Sequence, residues 1–475
     1  MAYIAGADRT QAVLLPDVLD DYVGADNPVR FLEAFVAQLD LAALGFQRAV
    51  PAETGRPGYD PGDLLRLYLY GYLHRIRSSR RLEQESHRNV ELMWLLRRLT
   101  PDFKTIADFR REHPGALKGV GREFVLLCRR LDLFGGELLA IDGSKFRAVN
   151  ARDRSYTPAR LATLQRDIDR TIARYLRELE RHDETETGTE GPSVEALREK
   201  IAVLEQRRAG YEALGQALAA SGETAISLTD PDSRPMMSGG RIEVCYNVQT
   251  AVDAKHKLIV AEDVTNAAGD RDQLSPMATA AQEVLGGATP VVVADQGYYH
   301  GTEIKTCLEA GLTPLVPRPL TSANEARGLF TKDDFVYDLA TDGYRCPAGE
   351  TLSYRTTTVE LGRQIKNYRT AACGRCALRS RCTRNKDGRK ITRWVHEHLL
   401  EEMAAHLRRA PELFARRKEL AEHPYGTMKR PMDQGYFLLK GLRKVRGEFG
   451  LTALAYNLKR VLNIVGVPQL LAALA

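Results

Sequence analysis

Glu137-Leu-Leu-Ala-Ile-Asp142-Gly-Ser-Lys145 is an apolar run that reaches a carboxylate and then turns polar. Its residue types favour a buried β-strand. A similar run far downstream, Thr289-Pro-Val-Val-Val-Ala-Asp295-Gln-Gly, reaches a second aspartate. We therefore expect two buried strands, each presenting an aspartate at its carboxyl end.

The chain around these two runs alternates predicted strands and helices. Two more strands are predicted at 244–252 and 257–264, and a helix at 272–284 precedes the strand that ends in Asp295. A helix through Ile304 and Leu308 and a strand at 313–316 follow. This order is typical of an α/β (α+β) domain with an RNase H-like mixed sheet. In that fold the first and fourth strands are neighbours, so Asp142 and Asp295 are expected to meet at the carboxyl ends of adjacent strands.

A third acidic position follows in a basic, helical context. Glu419 and Glu422 lie three residues apart on one predicted helical face, and either could point inward. Glu448 is another candidate, in a stretch predicted to cap the last helix. We prefer Glu422 because Lys429 lies two helical turns further along the same face. Pro424 is expected to kink this helix or to start a new one.

Three carboxylates set among Arg and Lys suit divalent cations that act on phosphate oxygens. Asp142 is expected to bridge two Mg²⁺ ions, for which Mn²⁺ can substitute, and Asp295 and Glu422 are expected to complete the site. A single aspartate after a strand is commonly a capping or turn residue, so the prediction depends on the three together. Ser144 and Lys145 also allow a Ser-Lys hydrolase, but no oxyanion-hole motif is evident and a phosphate contact by Lys145 is simpler. No GxxxxGK[ST] loop indicates ATP use.

The charge of the chain is unevenly distributed. Lys and Arg number 68 against 62 Asp and Glu, a net charge of only +6. Basic residues nevertheless cluster at 66–111, 345–393 and 408–460. Such local clusters favour an anionic partner at particular faces of the protein.

Length and composition limit the class of protein. A chain of 475 residues, 44% hydrophobic and 27% charged, is expected to be soluble and to fold into two to four modules. No secretory signal follows Met1, and no stretch predicts a membrane span. Seven cysteines in such a long chain do not indicate a disulfide scaffold. The expected location is the cytoplasm.

The N-terminal part, at about 15–134, is predicted to be helical, with short helices and Arg-rich junctions. Thr105 is expected to cap one helix. A helix-turn-helix type of DNA-binding unit and a helical packing domain with a solvated basic face explain the pattern equally well. In the first case Arg80 and Arg81 are candidate DNA contacts.

Two insertions interrupt the predicted sheet. Apolar residues recur every three or four positions at 161–179 and 194–211, with a polar loop at 182–193, which predicts a two-helix antiparallel arm. The second insertion is basic and carries a cysteine cluster, and it is expected to contact DNA. The predicted ligands of a structural zinc ion are Cys346, Cys373, Cys376 and Cys382.

Other states of this cysteine cluster stay open. A disulfide or unliganded reduced thiols are the alternatives to zinc, and His396 or His398 could replace one cysteine. Gly374 is expected to permit a tight turn between two ligands. The remaining cysteines, in apolar contexts, are expected to be core residues: Cys128, Cys245 and Cys307.

These motifs together resemble the DDE transposases of bacterial insertion sequences, over nearly the whole chain. The similarity is to the subgroup with a helical insertion and a Cys-rich insertion. The motifs that carry it are Arg77-Ser-Ser-Arg-Arg-Leu-Glu83, Thr105-Ile-Ala-Asp-Phe-Arg110, Ile141-Asp-Gly-Ser-Lys-Phe146, Thr229-Asp-Pro-Asp-Ser-Arg234, Tyr246-Asn-Val-Gln-Thr-Ala-Val-Asp253, Ala294-Asp-Gln-Gly-Tyr298 and Glu422-His-Pro-Tyr-Gly-Thr-Met-Lys-Arg430.

The resemblance implies cleavage at the ends of a mobile element, followed by attack of the freed 3′-hydroxyl on target DNA. The implied partners are double-stranded DNA, as terminal inverted repeats and as target, and at least a second copy of the chain. The implied location is the bacterial nucleoid. Positioning contacts to phosphates are implied for Lys145, Arg417, Lys429 and Arg430.

One departure from the related hairpin-forming transposases is visible. They carry Tyr-x2-Arg-x3-Glu-x6-Lys around the third acid, whereas here Ala415 stands at the Tyr position and Lys418 at the Arg position. The Glu422 to Lys429 spacing fits. A hairpin intermediate is therefore not predicted, while the metal chemistry is.

Two other functions fit the same residues. One is an RNase H-like nuclease that cuts particular DNA structures without strand transfer, and the other is a catalytically silent, domesticated DNA-binding protein. The predicted domains are a helical N-terminal domain at 1–134, a catalytic domain at 135–150 with 235–317 and 400–475, a helical hairpin insertion at 151–234, and a Cys-rich insertion at 318–399.

Overall fold

A computed structural model describes residues 18–50, 58–150, 155–184, 193–319 and 324–474. The N-terminus, for which no secretory signal was expected, lies outside the described residues. So does most of the predicted loop at 182–193, including Gly188, Gly191 and Pro192. No helix within the described ranges is both long and apolar enough to cross a membrane.

The N-terminal part of the described chain is helical, as predicted. Polar side chains cap several helices: the Asn27 side chain accepts from the Val29 backbone, and Asp60 accepts from Gly62. The predicted cap at Thr105 was wrong, because Asp102 accepts from the Lys104 and Thr105 backbone amides instead. The helices are α1 (Pro28–Ala37), α2 (Pro61–Leu73), α3 (Ser79–Arg88), α4 (Val90–Leu95), α5 (Phe103–Glu112) and α6 (Pro114–Arg130).

A mixed sheet forms the centre of the molecule. Its strands are β1 (Leu138–Arg147), β4 (Arg234–Ser238), β5 (Arg241–Asp253), β6 (Ile259–Thr265), β7 (Val291–Val293) and β8 (Thr313–Leu315). Strand β1 pairs antiparallel with β5 and parallel with β7, and β7 pairs parallel with β8. Strands β4 and β6 both pair antiparallel with β5. The first strand and the strand before Asp295 are therefore neighbours.

Strand β1 is longer than the sequence predicts. It was expected to end at Asp142, but it continues to Arg147. Pairing with β7 stops at Ala140, whereas pairing with β5 continues as far as Arg147 opposite Cys245. Asp142 thus lies where β1 loses its parallel neighbour, and this edge of the strand has no further ladder partner until Arg147 pairs with Tyr436.

The segment predicted to be the first insertion forms two long helices on a short two-stranded base. The helices pack against each other through a small apolar cluster that includes Leu161, Ile168 and Leu218, and Arg208 binds Asp169 between them at 2.6 Å. The elements are β2 (Ser155–Tyr156), α7 (Pro158–Glu184), α8 (Val194–Ser221) and β3 (Ile226–Ser227).

The segment predicted to be the second insertion contains an antiparallel sheet that the sequence did not predict. Its own apolar cluster includes Phe335, Tyr344, Leu352, Tyr368 and Ile391. The two longest strands form a hairpin whose distal half is exposed to solvent. The elements are β9 (Val336–Asp338), β10 (Gly343–Arg345), β11 (Thr351–Glu360), β12 (Arg363–Arg369), α11 (Arg379–Cys382) and β13 (Ile391–Trp394), in the sheet order β13-β12-β11-β10-β9.

The C-terminal part returns to the central sheet as helices. These are α12 (Glu397–Arg409), α13 (Pro411–Lys429), α14 (Leu442–Val465) and α15 (Val467–Ala472). Helix α13 runs through Pro424, so no new helix starts there. Helix α14 begins at Leu442, so the prediction that Glu448 lies in a cap was wrong.

Helix α14 joins the N-terminal helices to the sheet. Residues 447–458 of this helix are all buried, because α2, α5 and α6 cover one side of it and β6 covers the other. Gly447 has no room for a side chain: a Cβ there would lie 2.4 Å from the Pro114 Cα. The N-terminal helices and the sheet consequently share one hydrophobic core.

Candidate active site

Asp142 and Asp295 lie at the same edge of the central sheet. Ala140 of β1 pairs with Val293 of β7, and each aspartate follows its partner of that pair by two residues. The Asp142 carboxylate accepts a hydrogen bond from the Gly143 backbone at 2.9 Å. Asp295 accepts one from the Gly297 backbone at 2.7 Å. Local backbone contacts thus orient both carboxylates.

The environment of Asp142 disfavours its charge. Burial, together with the nearby carboxylates of Asp295 and Asp270, raises the pKa of this carboxyl to about 6. The Gly143 amide and the Arg417 guanidinium oppose this shift. The side chain is only 18% exposed. A nearby cation would stabilise the ionised form of such a carboxylate.

Helix α13 packs beside Asp142 and supplies its polar neighbours. The Arg417 guanidinium lies 3.9 Å from the Asp142 carboxylate. The Tyr425 hydroxyl donates to the Asp142 carbonyl oxygen at 2.8 Å and accepts from Thr250 at 3.1 Å. The Lys429 ammonium donates to the Ser144 hydroxyl at 2.7 Å. Burial lowers the pKa of Lys429.

The geometry of α13 explains the departure in its motif. Lys418 and Ala415, at the Arg and Tyr positions of the related pattern, are exposed. One residue earlier, Arg417 faces Asp142, and Phe414 packs against the apolar cluster of β1 and β7. An aromatic residue and an arginine are therefore present on the inward face, each one position earlier than in the related pattern.

The candidate third acids do not join the two aspartates directly. Glu422 is exposed, and its side chain makes no hydrogen bond or ion pair within the described residues. It lies three residues before Tyr425, about 60° around the helix. Glu419 is also exposed and pairs with Lys257. Glu448 is buried and binds Arg77 at 2.7 Å.

Polar side chains that the sequence analysis did not single out pack against the first motif. We refer to Asp270, Asn247, Gln249 and Lys145 as the Asp270 cluster. One Asp270 oxygen accepts from Asn247 at 2.6 Å and from Gln249 at 2.8 Å, and it lies 3.4 Å from the Lys145 ammonium. A signal was available, because Asn247 and Gln249 alternate within an otherwise apolar predicted strand and therefore need polar partners.

Gly143 is required by this cluster. It is paired with Gln249 across the β1–β5 ladder. A Cβ on Gly143 would lie 2.4 Å from the Gln249 amide nitrogen and 2.6 Å from the Asp270 oxygen. The glycine of the Asp142-Gly143 motif therefore makes room for the Asp270 cluster, and the backbone angles do not demand it.

The remaining predicted DNA contacts lie at the surface. Arg430, Arg80 and Arg81 are exposed, and the Arg80 guanidinium lies 4.9 Å from the Phe103 ring centre. Other arginines of the same helical region are buried in the interior. Arg77 and Arg110 are each only 6% exposed.

The predicted zinc ligands line one small cavity. Cys346, Cys373, Cys376 and Cys382 surround a space of about 20 Å³ together with Phe330 and other residues. Burial raises the pKa of the Cys382 thiol, and the other three thiols add to the shift. None of the four is in a disulfide. Within the described ranges, no group of three or more His, Cys, Asp or Glu side chains has the arrangement of a metal site.

Glycine contributes to this cavity at a position other than the predicted one. Gly374 has open space around it and no left-handed backbone. Gly388 has φ +84°, and a Cβ there would lie 2.7 Å from the Cys373 Cβ. Cys128, Cys245 and Cys307 are buried, as expected of core residues.

Comparison with known families gives two matches. Residues 17–112 match the family described as Transposase domain (DUF772), and residues 345–462 match the family described as Transposase DDE domain. The first match covers helices α1–α5, and the second covers the cysteine cluster, α13 and most of α14. No curated protein and no solved structure gave a significant match. Together, the two family matches identify the chain as a DDE transposase of an insertion sequence.

Proposed function

We propose that this transposase cleaves DNA at the ends of its mobile element and joins the freed 3′-hydroxyl to target DNA. In the first step water attacks the phosphorus and the 3′-oxygen leaves; in the second that 3′-oxygen attacks a target phosphodiester, whose own 3′-oxygen leaves. The observation that carries the proposal is the equivalent placement of Asp142 and Asp295 beyond the Ala140–Val293 pair. Carboxyl ends of adjacent parallel strands are ligand sites in open α/β sheets.

Asp142, Asp295 and Glu422 would hold two Mg²⁺ ions, or Mn²⁺ in their place. Carboxylate oxygens are suitable ligands for such hard cations. Arg417 lies 3.9 Å from Asp142, and Asp295 forms no ion pair within the described residues. Glu422 would join by turning from solvent toward the Tyr425 side of the helix. Bound cations would activate the attacking oxygen and stabilise the leaving one.

The other residues of the site would orient the reacting groups. The Gly143 amide and the Tyr425 hydroxyl hold the Asp142 side chain and backbone, which fixes the direction of the carboxylate. Arg417, Lys145 and Lys429 present positive charge next to it, suited to phosphate oxygens. Arg430 extends this charge to the surface. Neither step changes the number of phosphorus–oxygen bonds, so no ATP site is needed.

We also propose that the central sheet is RNase H-like. The strand order β6-β5-β1-β7-β8, with only β5 antiparallel to its neighbours, supports this. The catalytic domain would consist of 135–150, 235–317 and 400–475. The helical hairpin at 151–234 and the Cys-rich segment at 318–399 would be its insertions.

The N-terminal domain at 1–134 would bind the element ends as double-stranded DNA. Exposed Arg80 and Arg81 at the start of α3 support this role. Two ends must be handled together, so at least a dimer is expected on DNA. The Cys-rich insertion, with exposed basic side chains on its hairpin and loops, would add further phosphate contacts.

A structural zinc ion at Cys346, Cys373, Cys376 and Cys382 stays a prediction. The shared cavity supports it, since a tetrahedral zinc site needs four ligands around one point and these four thiols surround one space. Metal analysis of the purified protein is expected to give about one zinc per chain. A value near zero, with all four thiols titratable, would contradict the proposal.

A cleavage and joining assay tests the main proposal. DNA that carries the sequences flanking the gene is incubated with the full chain and Mg²⁺, and in parallel with Ca²⁺. We expect cleavage and joined products with Mg²⁺, loss of both in Asp142→Asn, and retention in Asp272→Asn, whose side chain is exposed and pairs with His300. Cleavage without joined products would indicate a structure-specific nuclease. Cleavage that survives in Asp142→Asn would remove the proposed site, and DNA binding without any cleavage would indicate a silent DNA-binding protein.

A further inference from the structure

A cavity of about 370 Å³ lies beside β6, the strand at one edge of the central sheet. Helices α6, α14 and α9 (Leu274–Val284) form its other walls. Cavities that bind small molecules typically measure about 300–1,000 Å³. Glu262 of β6 lines the cavity and lies opposite Thr250 of β5, which lies opposite Asp142. Glu262 is therefore two strand spacings, about 10 Å, from the first aspartate of the candidate active site.

The walls of the cavity are mostly apolar. They include four buried side chains, one from each element: Val125 of α6, Ile259 of β6, Val284 of α9 and Leu454 of α14. The rim is charged, with exposed Arg122 and Glu283. Such a site favours a molecule with an apolar body.

Glycines leave space here that close packing does not require. Gly115 and Gly121 of α6 both line the cavity. A Cβ on Gly115 would meet nothing within 4 Å, and a Cβ on Gly121 would meet only the Gly450 carbonyl oxygen, at an ordinary 3.8 Å. Glycine lowers the stability of a helix relative to alanine. The packing of α6 against α14 therefore does not explain these two glycines.

Glu262 lacks a hydrogen-bond partner at this cavity. Its Oε2 atom is fully buried, and neither carboxylate oxygen accepts a hydrogen bond within the described residues. The Oε1 atom lies 3.7 Å from the point where a Cβ on Gly450 would be, and Gly450 also lines the cavity. Buried polar groups are nearly always hydrogen-bonded, because an unmet one is destabilising. A donor on a ligand would satisfy this carboxylate.

The charges around Glu262 are balanced, so only the hydrogen bond is missing. Lys118 donates to Asp263 Oδ1 at 2.9 Å, and Arg446 donates to Asp263 Oδ2 at 3.1 Å. Both cations also act on Glu262, because they oppose the rise that burial causes in its pKa. Two carboxylates thus face two cations. An ammonium ligand would add a third cation, whereas a neutral N–H or O–H donor would not.

We propose that this cavity binds a neutral, apolar small molecule that donates one N–H or O–H hydrogen bond to Glu262. The inference goes beyond the proposed function and uses none of the residues assigned to DNA cleavage. Indole is a suitable probe, since it has an apolar body and a single N–H donor. 1-Methylindole is its matched control, with the same body and no donor.

Binding of the two probes to the full chain is measured by calorimetry or by saturation-transfer NMR. We expect the wild type to bind indole about 10-fold more tightly than 1-methylindole, because only indole satisfies the buried carboxylate. Glu262→Met keeps a side chain of similar length without the carboxylate, and it should bind the two probes alike. Glu283→Gln, at the exposed rim, should keep the preference for indole.

Each other result contradicts a part of the proposal. Equal binding of the two probes by the wild type would overturn the role of Glu262, and this comparison needs no variant. No binding of either probe would overturn the site itself. A preference for indole that survives in Glu262→Met would place the ligand elsewhere. Tighter binding of 2-phenylethylamine, an ammonium of similar size, would overturn the neutral class of ligand.

Discussion

Arg77 donates a 2.7 Å hydrogen bond to the Glu448 carboxylate, and both side chains are buried. The same guanidinium donates to the Tyr436 carbonyl oxygen at 2.6 Å. Glu448 in turn accepts from the backbone amides of Leu438 and Leu439. This pair therefore joins the turn between α2 and α3 to α14 and to the chain before it.

Removal of one partner should destabilise the fold strongly. Glu448→Ala leaves Arg77 buried without its counter-charge, and we expect a loss of about 3–5 kcal/mol in the free energy of unfolding. Denaturant titration of the full chain measures it. Glu412→Ala, at an exposed position of α13, is the control and should change stability little. A loss below about 1 kcal/mol for Glu448→Ala would show that the pair is dispensable.

Gly143→Ala should inactivate the site without unfolding the protein. The added Cβ would meet Gln249 and Asp270 at 2.4 and 2.6 Å, so the Asp270 cluster must move. We expect at least a tenfold loss of DNA cleavage with DNA binding retained. Gly426→Ala is the matched control, since its Cβ would meet nothing within 4 Å and α13 should gain stability by about 1 kcal/mol. Equal cleavage by both variants would contradict this account of the motif.

Arg417 and Lys418 are adjacent basic residues with different surroundings. Arg417→Ala removes the cation beside Asp142, and we expect cleavage to fall by about 100-fold, as for loss of a charge-stabilising donor. Lys418→Ala, at an exposed position, should leave the cleavage rate within about threefold. Single-turnover cleavage kinetics compare the two. A larger loss of cleavage in Lys418→Ala than in Arg417→Ala would mean that Lys418, and not Arg417, acts at the site.

Glu262 should make stability depend on pH. Burial raises the pKa of this carboxyl to about 7, which Lys118 and Arg446 partly oppose and Asp263 reinforces. A carboxyl with a raised pKa in the folded state favours the protonated form. Stability is therefore lost as pH rises from the ordinary value of 4.5 through about 7, by at most about 3 kcal/mol.

Glu262→Gln tests this dependence. The glutamine keeps the shape and removes the charge, so the thermal midpoint of this variant should fall less than that of the wild type between pH 5 and pH 8. The variant should also be the more stable of the two at pH 8. Parallel curves for the two proteins would assign the pH dependence to other groups.

Chelation should act on the cysteine cluster if zinc occupies it. Treatment with a strong chelator is expected to lower the thermal midpoint and to expose four reactive thiols, because a structural site contributes directly to folding. Cys376→Ser should show the lowered midpoint without chelator, and Cys307→Ala, in the core of another region, should still respond to it. A wild-type midpoint that is indifferent to the chelator would favour unliganded thiols.

The strands that carry Asp142 and Asp295 could be predicted because their signal is local. Each is a short apolar run ended by a polar residue, and burial of both faces produces such runs. The sheet that contains β11, in the Cys-rich segment at 318–399, lacked this signal. Nine of the ten residues of β11 are exposed, so its sequence shows no alternation of apolar and polar residues.

The contacts of the site depended on register and burial, which the sequence does not display. Asp270 meets Gly143 only because β1 and β5 pair Gly143 with Gln249. Arg77 and Arg110 belong to motifs that suggest a DNA-facing surface, yet the fold buries both. Arg417 rather than Lys418 faces Asp142 because of the rotation of α13, and a shift of one position turns a residue by about 100°.

The close approach of Gly447 to Pro114 packs the N-terminal helices tightly against α14, which itself packs on β6 of the central sheet. Because the middle of α14 is buried between them, we expect the N-terminal helices and the sheet to move together as one body. A DNA duplex bound by the N-terminal helices, as proposed, would then lie at a fixed distance and angle from Asp142. The position of the cut would then depend on the rigidity of α14. The flexibility needed to reach target DNA would have to come from the DNA or from a second copy of the chain.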